Sequence, residues 1–304
     1  MRVLVTGAGG FVGRWLMLEL ASAGHEPIAA PPSSELDVAD AEAFGDLVRS
    51  TKPMAIAHLA SRATVGDATE ESAAAVRTHI GGAAAVVEAA RGADRPPALL
   101  FVSSAEVYGT PGPGESLRES DATLPRRPYG LLKLAAESVA IAGATRAGLR
   151  LSVVRPFPHV GPGQAPVSAV ASFAERVAAV RRGEASTVAV GNLDVERDIG
   201  DVRDYVRAYR LILERMDRED LSAAPDIFNL ATGRGVSLRT VLEELCRLAG
   251  VNPEVRVDPE LTRPDDPPRI VGDAGHLAAT IGWKPERRLE ETLADVLAQH
   301  LPPA

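Results

Sequence analysis

Short apolar runs alternate with amphipathic stretches from the first residues of the chain. Val3–Val5 is β-branched and apolar and ends at Gly7; from Phe11 to Ala23 the apolar positions then recur at helical spacing until Gly24. That pattern predicts a strand, a tight turn and a helix. Pro27–Ala30 reads as a second, weaker strand, opened by Pro27 and closed sharply by Pro31-Pro32. The alternation continues with a helix over Ala39–Ser50, a strand over Met54–Ala60 and a long alanine-rich helix over Ser72–Ala90. A strand over Ala98–Val102, a helix over Tyr129–Ala147 and a strand over Arg150–Val154 follow.

Alternation at this spacing implies parallel strands joined by right-handed crossovers. The expected fold is α/β, a doubly wound parallel (Rossmann) sheet with ligands at the carboxyl ends of its strands. After Pro156 the pattern breaks at the turn-rich Gly161-Pro162-Gly163-Gln164-Ala165-Pro166. Helices near Val170–Arg182 and Ser237–Ala249 come next, separated by a strand-like run at Asp226–Leu230. The expected organisation is a dinucleotide-binding domain over 1–165, with 198–232 returning to it, and a smaller, mostly helical C-terminal substrate lobe over 166–197 and 233–304.

Composition narrows the class. The 304 residues are 45% hydrophobic and 24% charged, which suits a globular chain rather than a disordered one. With 33 Lys+Arg against 41 Asp+Glu the formal charge is −8, which repels nucleic-acid backbones, so no nucleic-acid partner is expected. Cys246 is the single cysteine; it permits neither an internal disulfide nor a Cys-rich zinc site and fits a reducing compartment. No metal site is expected. Met1 runs straight into a motif at Thr6, leaving no room for a signal peptide, and no apolar run approaches about 18 residues. The expected location is the cytoplasm, without a membrane partner.

Thr6-Gly7-Ala8-Gly9-Gly10-Phe11-Val12-Gly13 puts glycines at 7, 10 and 13 between a predicted strand and a predicted helix. Glycine lets the turn take positive φ and lets a pyrophosphate approach the backbone, while the helix start offers unpaired N–H groups and the positive end of its dipole. The same glycines also serve a tight turn that holds no ligand. Asp37, before Val38, offers a carboxylate to an adenine amino group, or is simply a loop aspartate. At the end of the second strand a carboxylate would favour a free ribose hydroxyl, but Ala30, Pro31, Pro32, Ser33 and Ser34 stand there. Arg14 is the nearest phosphate partner, with an exposed helix residue as the plainer alternative. A nicotinamide dinucleotide is expected, NADP or NAD, with NADP favoured.

Tyr129 and Lys133 are four apart at the start of a predicted helix and share one face. A phenol with a pKa of about 10 is a poor proton carrier at neutral pH, but an adjacent ammonium and an oxidised nicotinamide both favour its phenolate. Tyr129 is therefore expected to pass a proton to or from an alcohol or ketone oxygen. Taken alone, the pair is very common and reads as two exposed helix residues. Ser103-Ser104-Ala105-Glu106-Val107-Tyr108-Gly109 shifts that balance, because it follows the strand Leu99–Val102 and puts Ser104 at a carboxyl end of the sheet. From there its hydroxyl can donate to the reacting oxygen.

Together with Leu36-Asp37-Val38, His58-Leu59-Ala60 and Arg155-Pro156, these motifs resemble those of the extended short-chain dehydrogenase/reductases, the NAD-dependent epimerase/dehydratase family. Within it, the run from Arg155 through His159 to Gln164 looks like the corresponding segment of the GDP-4-keto-6-deoxymannose reductases and related nucleotide-sugar enzymes. Val190-Gly191-Asn192-Leu193, Arg197-Asp198, Asp201-Val202-Arg203-Asp204, Val271-Gly272-Asp273 and Gly282-Trp283-Lys284-Pro285 point the same way. The resemblance implies Ser104, Tyr129 and Lys133 as the catalytic set. It implies coenzyme contacts from Gly7, Gly10, Phe11, Val12, Gly13, Arg14, Asp37, Val38, Leu59, Ala60, Tyr129, Lys133 and Pro156. A nucleoside-diphosphate sugar would meet Ser104, Glu106, His159, Arg197 and Arg263, the two arginines clamping its diphosphate. A homodimer paired through the helices Ser72–Ala90 and Tyr129–Ala147 is also implied.

The implied activity is NAD(P)H-dependent reduction of the C4 ketone of a nucleoside-diphosphate 4-keto-6-deoxyhexose. The rivals are a nucleotide-sugar 4-epimerase with tightly held NAD and a non-catalytic NADP sensor. Pro158 stands where relatives carry an asparagine, His79 likewise, and Ser61 where an alanine is usual. Ala105 occupies the first carboxylate position of the dehydratases, which disfavours elimination of water and leaves Glu106 alone.

Overall fold

The computed structural model describes residues 1–61, 72–110, 112, 114–218, 224–262 and 266–301. Five strands, β1 (Arg2–Thr6), β2 (Glu26–Ala29), β3 (Ala55–His58), β4 (Ala98–Val102) and β5 (Leu151–Pro156), come first along the chain with their helices between them. The short β6 (His159–Val160), β7 (Thr187–Val190), β8 (Glu196–Asp198) and β9 (Gly200–Asp201) follow, then β10 (Asp226–Leu230), β11 (Gly235–Ser237), β12 (Glu254–Val257) and β13 (Arg269–Ile270). Strands β10-β5-β4-β3-β1-β2, in that order, form one six-stranded sheet in which every pairing is parallel. The chain is thus a doubly wound Rossmann-type α/β protein. β1, β3, β4 and β5 are buried almost without interruption, as strands covered on both faces must be. β2 lies at the edge, the place where the missing N–H of Pro27 is tolerated.

One face of the sheet is covered by the helices Phe11–Ser22 and Val202–Arg218, whose Leu16, Leu20, Tyr205, Tyr209 and Ile212 pack on Val3, Val5 and Phe228. The other carries Ala41–Thr51, Gly82–Arg91 and Pro128–Ala147, which bury Phe44, Val48, Val86 and several alanines against Leu4, Ile56 and Leu99. Alanine on these helices lets their backbones come close. A third apolar cluster gathers the helices Ala169–Arg181, Leu238–Ala249 and Leu289–Ala298 around the parallel pair β12-β7. Beside it β11-β8-β13 forms a further small sheet, so this mostly helical region also carries short strands. Among the described residues no helix is long and apolar enough to cross a membrane.

The long alanine-rich helix is not uniform. Ser72–Val76 and Gly82–Arg91 are α-helical, but Arg77–Gly81 between them winds as a π-helix. The extra residue in that turn carries His79 inward, where it is 2% exposed. Periodicity alone does not show such a turn, because the apolar pattern resumes on either side of it.

A very close backbone approach lies just beyond β1. A Cβ built on Gly13 would fall 2.1 Å from the Gly7 carbonyl oxygen, whereas one on Gly9 would meet nothing within 4 Å. Gly13→Ala is expected to lower stability by about 1–3 kcal/mol through forced backbone shift. Gly9→Ala should stay within about 0.5 kcal/mol of the parent. Urea unfolding of the two variants measures the contrast.

Candidate active site

Gly7 turns the chain at φ 70, and the Gly10 N–H closes the turn on the Gly7 carbonyl at 3.0 Å. The helix Phe11–Ser22 then begins at Gly10 with no side-chain cap and no acidic residue in its first turn. Its first N–H groups and dipole are therefore available to an anion. Thr6 locks this loop to the neighbouring strand: its Oγ1 accepts the N–H groups of Leu59 and Ala60, both at 3.1 Å. The hydroxyl proton is then left to donate to His58 Nδ1 at 2.9 Å. Burial holds the His58 imidazole neutral, down to about 3.

Ser104 sits at the carboxyl end of β4 and caps the single turn Ala105–Tyr108, accepting the Glu106 N–H at 3.2 Å. The helix Pro128–Ala147 starts at Pro128, with φ preset for the first turn, and presents Tyr129 and Lys133 to this strand end. Gly130 sets the approach, since a Cβ there would lie 2.5 Å from the Glu106 carbonyl oxygen. The Tyr129 hydroxyl is hydrogen-bonded to Ser104 and also to Ser61. Lys133 is buried and donates to the Val102 carbonyl at 2.8 Å.

Among the protein's own groups, the charge balance at Tyr129 runs opposite to the sequence expectation. Burial, aided by the negative charge of Glu106, pushes the phenol up to about 12, while the serine hydrogen bonds oppose it. Lys133 spends its ammonium on the Val102 carbonyl, and burial pushes it down to about 8, with Glu137 opposing. Tyr129 is thus held as a phenol, the form that donates a proton.

Behind this pair lies a buried polar network that the sequence reading missed. Glu137, one helical turn beyond Lys133, accepts the Ser103 hydroxyl at 2.5 Å and pairs with the Arg155 guanidinium at 2.5 Å. Arg155 also donates to the Tyr108 oxygen at 2.9 Å, and Tyr108 donates to Asn229 Oδ1 at 2.6 Å.

All the sequence-predicted residues that are described line one cavity of about 1780 Å³, which runs from the glycine loop past Ser104 and Tyr129 to Arg197. Its volume exceeds that of a site for one small ligand, roughly 300–1,000 Å³. Phe11, Val12, Val38 and Pro156 are in its wall, as are Ala30, Pro31, Pro32 and Ser33 at the end of β2. Arg14 donates to the Gly9 and Gly163 carbonyls at 3.2 and 3.0 Å, beside the loop it was expected to serve. The Asp37 carboxylate is bound by Arg77 at 2.5 Å and by the Ala39 N–H, which hold it below the usual carboxylate range. His159 commits Nδ1 to the Phe157 carbonyl at 3.0 Å and stacks on Phe11. Arg197 reaches the cavity from β8, joined there by Arg127 and Asp266, which the sequence did not single out. Arg263 lies outside the described residues.

Residues 3–231 match the NAD dependent epimerase/dehydratase family. The chain belongs to this family. It is similar to the GDP-6-deoxy-D-mannose reductase of Pseudomonas aeruginosa, 33% identical over 98% of this chain and 96% of that one. A UDP-glucose 4-epimerase of Azospirillum brasilense is 28% identical over 98% and 91%. Among solved structures, RMD from Pseudomonas aeruginosa complexed with NADPH superposes with a TM-score of 0.88, 31% identical and covering 98% of each chain. The Thermus thermophilus UDP-glucose 4-epimerase complex with NAD gives 0.84, 28% identical over 99% and 98%.

Two of the unusual residues of this family member meet at Tyr129. Ser61 bonds its hydroxyl, and His79 packs edge-on against its ring with centroids 5.9 Å apart. Pro158 lines the cavity and spends its carbonyl on the Gly200 N–H at 2.9 Å, and Ala105 is buried.

Two predictions follow from this electrostatic arrangement. Removing the negative charge beside Tyr129 favours its phenolate, so Glu106→Gln moves the phenol's titration below about 12; alkaline difference absorbance, with Tyr129→Phe as the blank, reads the shift. Glu137→Ala strands a buried guanidinium and is expected to cost about 3–5 kcal/mol in urea unfolding. A joint Glu137→Met/Arg155→Leu change should recover part of that loss.

Proposed function

We propose that the chain is an NAD(P)H-dependent reductase of the C4 ketone in a nucleoside-diphosphate 4-keto-6-deoxyhexose. The observation that carries this reading is one cavity joining an uncapped glycine-turn helix start to a Tyr129 phenol bonded to Ser104, with Lys133 one turn further along. The 33% identity to a GDP-6-deoxy-D-mannose reductase over nearly the whole chain supports the substrate class.

The glycine loop fits a dinucleotide, because the N–H groups at its helix start are uncapped, and the absence of a Cβ at Gly7 and Gly13 lets the turn pack tightly on Leu59–Ala60 and on itself. Gly7, Gly10, Phe11, Val12, Gly13 and Arg14 would hold its pyrophosphate end, Asp37, Val38, Leu59 and Ala60 its adenosine side, and Pro156, Tyr129 and Lys133 its nicotinamide side. The wall at Ala30 to Ser33 presents no carboxylate to a 2′-phosphate, which supports NADP ahead of NAD. When bound, the reduced coenzyme supplies the hydride. Tyr129 donates the proton to the ketone oxygen, and Ser104 holds that oxygen as charge develops on it. Lys133, which donates to the Val102 carbonyl at 2.8 Å, would supply positive charge on the same helix face as the phenol as the proton leaves. Arg197 takes up the substrate's diphosphate, with Glu106 and His159 beside the sugar.

A protonated Tyr129 is the starting state for reduction. A 4-epimerase would use the same residues with tightly held NAD; the higher identity to a GDP-6-deoxy-D-mannose reductase, 33% against 28% to a UDP-glucose 4-epimerase, favours the reductase over that second reading. The lone Cys246 supports a reducing, cytoplasmic setting. Exposed Val76 and Leu131, on the two helices named for pairing, support a homodimer. The division into a dinucleotide domain and a substrate lobe belongs to the same proposal, with the third apolar cluster as the lobe's core.

Mixing the protein with NADPH or NADH and GDP- or dTDP-linked 4-keto-6-deoxyhexoses should consume coenzyme in proportion to substrate. Tyr129→Phe should still bind coenzyme and lose about 10²–10⁴-fold in turnover. Coenzyme that stays bound through purification, with no net consumption, would instead identify the epimerase.

A further inference from the structure

β12 is an open sheet edge. It pairs with β7 on one side, and among the described residues no strand pairs with it on the other. The ladder to β7 begins with the Glu254 N–H on the Ser186 carbonyl at 3.3 Å and ends with the Asp258 N–H on the Val190 carbonyl at 2.8 Å. Successive residues of a strand turn their main-chain groups to opposite sides, so Val255 and Val257 point their N–H and C=O groups away from β7. These two residues stand in register with Val188 and Val190 and share their face. Val188 and Val190 are fully buried, whereas Val255 and Val257 are 44% and 68% exposed. The apolar face that the third cluster covers on β7 thus runs on uncovered across β12.

An open edge with an apolar face is a template for a further strand, and the charges on β12 say which strand fits. Glu254 and Arg256 lie on the other face, where Arg256 donates to both Glu254 oxygens at 3.0 Å. Two copies of β12 laid antiparallel about a two-fold axis at Val255 set Glu254 against the partner's Arg256 and Arg256 against the partner's Glu254. Each Val255 then exchanges its N–H and C=O with the partner's Val255. An axis at Arg256 would oppose like charges, Arg256 with the partner's Arg256 and Glu254 with the partner's Asp258, which is destabilising. An axis at Val257 would run Val255 against the partner's Pro259, which has no N–H and lies where the chain has left the strand for the turn Pro259–Leu261.

We propose that β12 is a self-pairing interface, at which a second copy of this chain adds its own β12 antiparallel and centred on Val255, so that the two β12-β7 pairs join into one continuous sheet. The contact is isologous and closes on itself. Main-chain hydrogen bonds and the facing valines supply the attraction. The exposed charge pairs, each worth little alone, fix the register and reject strands of other sequence. The interface uses no residue of the helices Ser72–Ala90 and Tyr129–Ala147, so it stands whether or not those helices also pair.

The test is the assembly mass of the full chain, read by light scattering after gel filtration at up to about 100 μM. Arg256→Glu places like charges opposite each other twice and should halve the wild-type mass, and Glu254→Arg should do the same. The double variant Glu254→Arg/Arg256→Glu exchanges the two charges, restores both opposed pairs and should return to the wild-type mass. Thermal melts confirm that each variant folds, and helix pairing, being common to all four proteins, leaves the twofold ratio unchanged. A wild type and double variant of equal mass, with both single variants at half of it, support the proposal. A wild type no heavier than the single variants overturns it, and so does a double variant that stays at half mass.

Discussion

Glu137 is the group on which the geometry of the catalytic end depends. Its carboxylate is 2% exposed and is satisfied from two directions, by the Ser103 hydroxyl and by Arg155. Through Arg155 and Tyr108 the same network reaches Asn229, which also donates to the Leu117 carbonyl. The end of β4, the helix Pro128–Ala147, β5 and β10 are thereby tied at one polar knot inside an otherwise apolar interior. Such a knot adds little net stability over apolar packing, but it penalises any other arrangement of these elements, because misplacing one partner leaves a buried charge unpaired. Ser103 fixes Ser104, and Glu137 fixes Lys133 and Tyr129 further up the same helix.

That placement decides the chemistry through burial as much as through contact. Drawing Tyr129 and Lys133 out of water disfavours the charged form of each, so the phenol rises and the ammonium falls. Both shifts favour the uncharged forms and widen the gap between the two groups, so Tyr129 keeps its proton rather than handing it to Lys133. Glu106 strengthens the rise at Tyr129, whereas Ser61 and Ser104 moderate it by hydrogen bonding. Ser61 and His79 lie far apart in sequence, yet both touch Tyr129. Two residues that the sequence singled out, Ser61 and His79, are thus brought together on one side chain by the fold.

What the sequence made legible is what short-range rules govern. Gly7, Gly10 and Gly13 are spaced for a strand-to-helix turn, and Tyr129 and Lys133 for one helix face; local geometry alone determines both. The parallel doubly wound sheet also followed from the alternation of elements, whereas the order of its strands and the edge position of β2 came only from the structure. The π-helical turn at Arg77–Gly81 could not be read, since one inserted residue leaves the apolar pattern on both sides intact. Arg127, Asp266 and the Glu137 network were missed for a different reason. Their roles arise from contacts 18 to 139 positions apart in the chain, between residue types common on any surface. The Tyr129 titration was misjudged because spacing shows that Lys133 shares its face but not that Val102 takes the ammonium.

The formal charge of −8 would repel a nucleotide sugar, the substrate class of the relatives, at long range. Surface charges are screened beyond about 8 Å at physiological ionic strength, so the net value governs approach and has little hold within the cavity. Inside, Arg14, Arg127 and Arg197 line the wall, and two acids of the same wall are already committed: Asp266 to both Arg127 and Arg197, and Asp37 to Arg77. In partly buried surroundings a guanidinium at hydrogen-bonding distance outweighs many exposed carboxylates further off. An acidic exterior therefore coexists with a cationic interior, and the distance between them keeps the two from cancelling.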